Sequence, residues 1–301
     1  RLCPDVPEID DLLRTPESAV SMRTSEMRLV PPSGKPLCYD FEGMVLDRVA
    51  HDEALVDLAE SSGAHYLVAS RVESVDGETV RLRDGSEYTA RVVIGAGGHN
   101  DPLRKSEWKV KSLNIPVKFV LMSGEFEDAL ELHFGSVAPG GYAWKFPKQG
   151  GANIGLGIQT ALARGKSLNE YSEEFVSRYE GRIEFRGAGS LPMSGSIDSF
   201  VKGKHLLVGD AAGMVLPSNG AGITIAMIGG RIAGQVVAEH LRDGTSLSEY
   251  EVRWEAQMGK VMRNSKRAFR LGSLLFRSPD WLLSLTFNRL TKPLIWRAVT
   301  C

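Results

Sequence analysis

Cysteine is scarce and scattered: Cys3, Cys38 and Cys301 are the three in the 301 residues, with no CxxC and no histidine-rich neighbourhood. That spacing excludes a dense secreted disulfide scaffold and argues against a zinc site, while one bridge between Cys3 and Cys301 stays open. No apolar run reaches the ~18 residues that a membrane-spanning helix needs. Surplus charge is missing too, since 36 Lys plus Arg against 37 Asp plus Glu leave a net of −1. A phosphate backbone asks for a basic excess, so a protein that coats nucleic acid is excluded. Arg1 is preceded by neither a methionine nor a charged-then-apolar leader, and the chain is read as a piece of a longer one. Glycine, by contrast, is plentiful. Thirty-two of them exceed the usual share of about 7%, without a period, so collagen-like and low-complexity chains are excluded. With 43% apolar residues the chain can bury a sizeable core, and many glycines imply close approaches of main chain to something cradled.

Pro4, Pro7, Pro16, Pro31, Pro32 and Pro36 crowd the first forty residues, which read as loops with short strands. Residues 50–62 put Ala50, Ala54, Leu55, Leu58 and Ala59 on one helical face, closed by Gly63. Strand-like runs follow at 65–71, 78–83 and 87–94, separated by the hairpin pairs Asp76-Gly77 and Asp84-Gly85. Residues 108–191 alternate as strands, apart from a helical stretch at 167–179. A short buried strand at 204–208, a small-residue helix at 220–241 and two or three helices over 246–301 complete the pattern.

Two segments deliver glycine to the end of a buried strand. Val92-Val93-Ile94 runs into Gly95-Ala96-Gly97-Gly98, and the strand at 204–208 runs into Gly209-Asp210-Ala211-Ala212-Gly213. Open α/β sheets present backbone to ligands in this way at their carboxyl ends, although either segment alone is also an ordinary strand and turn. Along the helix that follows, Gly222, Ala226, Gly230 and Ala233 form a stripe fit for close packing. A third segment, Tyr142-Ala143-Trp144-Lys145-Phe146-Pro147-Lys148, reaches Gly155-Leu156-Gly157 through a turn at 149–151. It reads as a hairpin whose Tyr142, Trp144 and Phe146 share a face with Ile154, Leu156 and Ile158. Three aromatics on one face suit an apolar channel, or plain sheet packing.

These segments, with Val45-Leu46-Asp47-Arg48 and Asp52, resemble the geranylgeranyl reductase family of flavoproteins, over roughly Met44 to Leu241. GDAAG and the arginine are common to the wider FAD superfamily; the aromatic-Pro-Lys segment is narrower. The resemblance implies an α/β FAD-binding layer of the aromatic-hydroxylase type, an inserted antiparallel β-sheet substrate domain and a C-terminal helical cap. The boundaries expected are 1–107 and 201–243 for the FAD layer, 108–200 for the substrate domain and 244–301 for the helical region. Arg48, Gly97, Gly98, Gly209, Asp210, Ala211, Gly213, Gly220, Ala221 and Gly222 would bind FAD, with Asp210 on ribityl hydroxyls and the helix start on the flavin. Arg104 would follow the second glycine turn. Tyr142, Trp144, Phe146 and Pro147 would line the substrate channel. Cys3 answers to the family's early cysteine, and the family's GxGxxG segment would precede Arg1. No metal is called for, and no residue is named as the proton donor.

The implied reaction saturates C=C bonds of geranylgeranyl chains, on a membrane ether-lipid precursor. Electrons would come from a ferredoxin-like protein or NAD(P)H. A related flavin monooxygenase and a flavin-less lipid-binding relic are the alternatives. Residues 263–301 hold eight basic side chains and one acid, a net of +7, interleaved with leucines, Trp281 and Trp296. Such helices lie on anionic membrane surfaces or form a lid. A cytoplasmic protein peripheral at the membrane is the expectation.

Overall fold

Residues 15–300 are described in a computed structural model. Cys3 and Cys301 fall outside the described residues, and with them the bridge left open above. The stretch expected as loops holds two long neighbouring strands, β1 (Val20–Val30) and β2 (Leu37–Leu46), with Pro31, Pro32 and Pro36 in the turn between them. Proline fits there because the turn needs no ladder N–H at those positions. Further on come α1 (Arg48–Ser61), β3 (Val72–Asp76), β4 (Thr79–Leu82), β5 (Glu87–Thr89) and β6 (Val93–Gly95). Next are β7 (Asn114–Ser123), β8 (Ala129–His133), β9 (Tyr142–Lys148), β10 (Gly151–Gly157), α2 (Leu168–Val176) and β11 (Arg182–Pro192). The chain continues through β12 (Val201–Lys202), β13 (His205–Leu207), α3 (Ile223–Asp243), α4 (Glu249–Leu275), α5 (Asp280–Thr286) and α6 (Lys292–Thr300).

Seven strands form one sheet in the order β11-β7-β10-β9-β8-β1-β2. Every pair is antiparallel except β1 with β8, which run parallel. The sheet expected within 108–200 therefore also takes residues 20–46. One face carries Val120, Ala143, Ile154 and Leu156 against Tyr171, Phe175 and Val176 of α2. Ser167 starts that helix with a capping box to Glu170, satisfying two end groups at once. The other face carries Met27, Tyr39, Phe41 and Leu132, covered by Leu283, Phe287 and Trp296 of the tail.

A smaller sheet pairs β6 with β13 in parallel and β13 with β12. Its core is Leu206, Leu207, Met214, Ile228, Ile232, Tyr250 and Trp254, most of them from α3 and α4. On α3 the residue that must be small is Gly229, where a Cβ would stand 2.6 Å from the Met214 sulfur. Gly230, in the expected stripe, faces open space. The helix begins at Ile223 rather than at 220, because Gly220 in a left-handed backbone still belongs to the preceding loop.

β3, β4 and β5 make a separate meander, turned at Gly77 and Gly85 as the Asp-Gly pairs announce. The run expected at 65–71 forms no strand: the carbonyl of its last residue, Arg71, accepts the Arg83 N–H at 2.9 Å, while Tyr66, Leu67 and Val68 stand exposed. The run at 87–94 splits into β5 and β6, which belong to different sheets.

Candidate functional site

Parallel pairing of β6 with β13 puts both carboxyl ends at one edge, and the Val208 N–H donates to the Gly95 carbonyl at 3.0 Å. The two glycine turns, widely separated in sequence, thus lie side by side. The first is held from beneath by Asp101, a buried carboxylate that accepts the Gly97 N–H at 2.8 Å and the Arg104 N–H at 3.1 Å. A Cβ at Gly95 or Gly97 would stand 2.8 or 2.9 Å from those same carboxylate oxygens. Gly97 is therefore required by Asp101, whereas Gly98, at φ +74°, opens onto free space. Sequence reading passed over Asp101; its signal is an acid immediately before Pro102, where a helical segment starts. Arg104 turns inward, with a guanidinium N–H on the His99 carbonyl at 3.3 Å and its Nε buried and unpartnered.

In the second turn Gly209 and Gly213 have φ of +58° and +68°, and a Cβ on Gly213 would collide with the Gly195 carbonyl. Only glycine holds that conformation without strain. Ala211 and Ala212 are fully buried. Asp210 is half-buried, and its carboxylate has no hydrogen-bond partner among the described residues. Burial pushes its pKa above the ordinary carboxylate range, with the His99 charge pulling the other way. Gly222, the N-cap of α3, sits so close that a Cβ there would be 3.5 Å from Asp210 Oδ1. An orphaned carboxylate, two glycine turns without bulk and the free N–H groups of a helix start converge here. That set fits a group carrying hydroxyls and partial negative charge.

Gly220 turns the opposite way, and a Cβ there would meet the Tyr142 hydroxyl at 3.4 Å. Ala221 anchors the same loop, its N–H donating to Asn219 Oδ1 at 2.9 Å. The Tyr142 hydroxyl donates to the Asn219 carbonyl at 2.6 Å, joining β9 to the loop after GDAAG. Burial pushes the Tyr142 phenol up to about 12, so it remains a donor at neutral pH. Arg48 is exposed at the start of α1 and grips Asp52 at 2.9 Å, with no hydrogen bond to either glycine turn among the described residues.

Tyr142 and Trp144 line an apolar cavity of about 50 Å³ with Phe134, Pro217, Gly220, Phe269 of α4 and Phe276, the C-cap of that helix. The two phenylalanines stand seven residues apart, a helical spacing that was legible but unused. Phe146 continues the aromatic row, its ring 6.2 Å from Trp144, without reaching the cavity. Pro147 is a correction: strand alternation turns it to the opposite face with Ala143 and Lys145. The partners of the aromatics also differ from expectation. A two-residue turn, Gln149-Gly150, pairs Trp144 with Gly155 and Tyr142 with Gly157. Ile154 and Leu156 are buried on the α2 side instead. A Cβ at Gly155 would stand 2.5 Å from the Trp144 ring and 2.6 Å from the Lys118 carbonyl oxygen. At about 50 Å³ the cavity is narrow, with Phe269 and Phe276 forming part of its wall.

Behind the aromatic row lies a buried ionic cluster. Lys145, 3% exposed, pairs with Glu131 at 3.1 Å and donates to the Glu127 carbonyl at 3.1 Å. His133 meets the other Glu131 oxygen at 2.9 Å. Among the described residues no group of three or more His, Cys, Asp or Glu could hold a metal ion, and no helix is long and apolar enough to cross a membrane.

Residues 113–188 match the family model described as the geranylgeranyl reductase catalytic domain. The chain is 34% identical over 270 residues to digeranylgeranylglycerophospholipid reductase 1 of Methanococcoides burtonii, covering 80% of this chain and 66% of that one. It is 32% identical over 296 residues to the digeranylgeranylglycerophospholipid reductase of Methanothrix thermoacetophila, covering 84% and 76%. It spans about two thirds of the length of several such curated relatives. A crystal structure of a geranylgeranyl bacteriochlorophyll reductase-like protein from Thermoplasma acidophilum superposes with a TM-score of 0.83 at 23% identity, over 96% of this chain and 84% of that one. A probable FAD-dependent monooxygenase from Pseudomonas aeruginosa shares the fold at a TM-score of 0.64 and 17% identity, over 90% and 83%.

Proposed function

The chain belongs to the geranylgeranyl reductase family, and from that premise we propose that it is the body of a flavin-dependent reductase of prenyl lipids. FAD is the flavin proposed, the substrate a geranylgeranyl chain on a glycerophospholipid ether, and the reaction saturation of its C=C bonds. The observation that carries this reading is the bridge from Tyr142 to Asn219. It sets an aromatic-walled apolar cavity directly against the loop leaving the orphaned Asp210. Residues 20–46 and 108–200 serve as the substrate domain, and residues 47–107 with 201–243 as the flavin layer.

Asp210 would hold ribityl hydroxyls, with Gly98, Gly209 and Gly213 leaving room for the ring system and the start of α3 facing its pyrimidine edge. The bound flavin supplies hydride chemistry. This chain's own contribution is orientation and the exclusion of water, since an unactivated alkene offers no developing oxyanion to stabilise. Trp144 and Tyr142 would fix the alkene laterally, and α4 would close the site. The electrons come from a ferredoxin-like protein or NAD(P)H. Mass spectrometry of lipids from a host making unsaturated ether lipids tests the reading. A gain of one H₂ per reduced bond on co-expression supports it, and unchanged lipids overturn it.

Trp144→Ala should slow turnover of long prenyl substrates about tenfold or more, as expected for loss of a positioning contact, while the protein keeps its flavin. A parallel loss of flavin and thermal stability would make Trp144 a purely structural residue.

The tail both covers the sheet and faces outward. Trp296 is a correction to the expected membrane-facing set, since it stacks on Tyr39 at 4.5 Å inside the core. Trp281, Leu274, Leu285, Leu290 and Leu294 stand exposed, beside exposed Arg267, Arg270, Arg277, Arg289 and Arg297. This is the surface proposed to rest on an anionic bilayer, where each basic side chain contributes about 1 kcal/mol. Co-sedimentation with anionic vesicles should exceed that with neutral ones at low salt and fall as salt rises, since screening acts within ~8 Å at physiological ionic strength. Equal pull-down by both vesicle types would leave the tail as a lid alone.

A further inference from the structure

We propose that a second, polar cavity takes the phosphate of the lipid headgroup, an inference that rests on the prenyl-lipid reading above. The cavity measures about 280 Å³ and lies between α2, the turn before it and the loop joining β8 to β9. Arg164, Lys166 and Arg178 bring three positive charges to its wall, against one acid, Glu174. Glu174 is engaged by Lys166 at 2.5 Å. Neither Arg164 nor Arg178 has an acidic partner among the described residues. Two guanidiniums facing one cavity, neither held by its carboxylate, are a fork-shaped donor set that matches phosphate oxygens.

The wall is ordered before any anion arrives. The Arg178 guanidinium lies over the Phe175 ring at 5.5 Å, and the Lys166 ammonium over Tyr171 at 5.6 Å. The Tyr171 hydroxyl ties down the turn that bears Arg164, donating to the Ala163 carbonyl at 3.0 Å. Arg164 itself has a left-handed backbone, φ +48°, unusual for a side-chain-bearing residue.

The position of the cavity links it to the prenyl site. Ser136 of the β8–β9 loop lines the polar cavity, while Phe134, Gly140 and Gly141 of the same loop line the apolar one. Ser136 is also where the tail is fastened: Asp280 accepts its N–H at 3.0 Å and its hydroxyl at 2.6 Å. A phosphate in one cavity and a prenyl chain in the other would straddle a single loop, under the lid that Asp280 anchors. The enzyme should therefore favour phosphorylated prenyl glycerol ethers over the free alcohol.

Calorimetric titration with glycerol 1-phosphate and with inorganic phosphate tests this, on the wild type and on Arg164→Gln/Arg178→Gln. Glycerol 1-phosphate should bind more tightly than inorganic phosphate, and the double variant should weaken it by about tenfold or more. FAD affinity and the unfolding midpoint should not change, since both arginines are exposed and apart from the glycine turns. No heat up to ~10 mM ligand, weaker than any useful affinity, or equal binding by both proteins would overturn the proposal. Inorganic phosphate bound as tightly as the glycerol ester would make this a free-phosphate site and refute the headgroup role. In turnover, the variant should raise KM for the phosphorylated lipid and leave the alcohol unaffected; a rise for both refutes selectivity. If the wild type reduces neither lipid, the reductase reading fails, while the titration still decides the anion site.

Discussion

Asp210→Ala should weaken FAD binding by roughly ten- to a hundredfold, the loss of a charge-assisted hydrogen bond worth ~1.5–3 kcal/mol. Asp210 is a half-buried carboxylate at the junction of both glycine turns and the start of α3, and it has no hydrogen-bond partner among the described residues. Ribityl hydroxyls would be that partner. Its raised pKa adds two expectations. Binding should decline on acidification at a pH above the usual aspartate value of about 3.9, because protonation removes the charged acceptor, and the decline should vanish in the alanine variant. The folded chain without flavin also carries this charge at a cost above that pKa, since a raised carboxyl favours the protonated form in the fold. The variant should thus unfold no earlier than the wild type. Flavin fluorescence titration and thermal denaturation measure both, with Asp243→Ala at the far end of α3 as a control. Undiminished affinity in Asp210→Ala would remove this residue from the cofactor site.

Glu131→Leu should cost ~3–5 kcal/mol of stability, the penalty for leaving a buried ammonium uncompensated. Among the described residues Lys145 would keep only the Glu127 carbonyl, at 3% exposure and directly opposite position 131 in the β8–β9 register. Pairing the substitution with Lys145→Met should recover most of the loss, since neither charge then remains in the interior. Burial alone would raise the Glu131 pKa, but the His133 hydrogen bond and the Lys145 charge outweigh it and hold it below the ordinary value of 4.5. A lowered carboxyl stabilises the fold fully above its unfolded pKa and ceases to do so as pH falls through the folded one. The gap between wild type and variant should therefore be widest at neutral pH and narrow below about 4.5. Urea denaturation across pH gives the curve, and a gap that does not depend on pH would assign the cost to packing.

Local chemistry was enough to read much of the glycine-turn geometry from sequence. A buried strand running into GDAAG specifies its own turn, because Gly209 and Gly213 take the left-handed backbone that favours glycine. The Asp-Gly turns, the Ser167 cap and the three tail helices were legible for the same reason: each depends on residues within one turn or one periodic face. The charge of the tail needed only counting.

Everything that depended on which face meets which partner was decided by the tertiary structure. A three-residue turn at 149–151 would have paired even positions with even ones and set Ile154 and Leu156 beside Trp144. The two-residue turn shifts the register by one and turns every side chain over. Glycines 155 and 157 then face the aromatics, and the isoleucine and leucine enter the α2 core. Residues 20–46 joined the seven-stranded sheet through a parallel pairing of β1 with β8 that sets Met27 beside Leu130, which no local pattern encodes. Trp281 and Trp296 carry the same helical signal, yet one is exposed and the other stacks on Tyr39. Periodicity states that a face is apolar; only the packed chain determines what covers it.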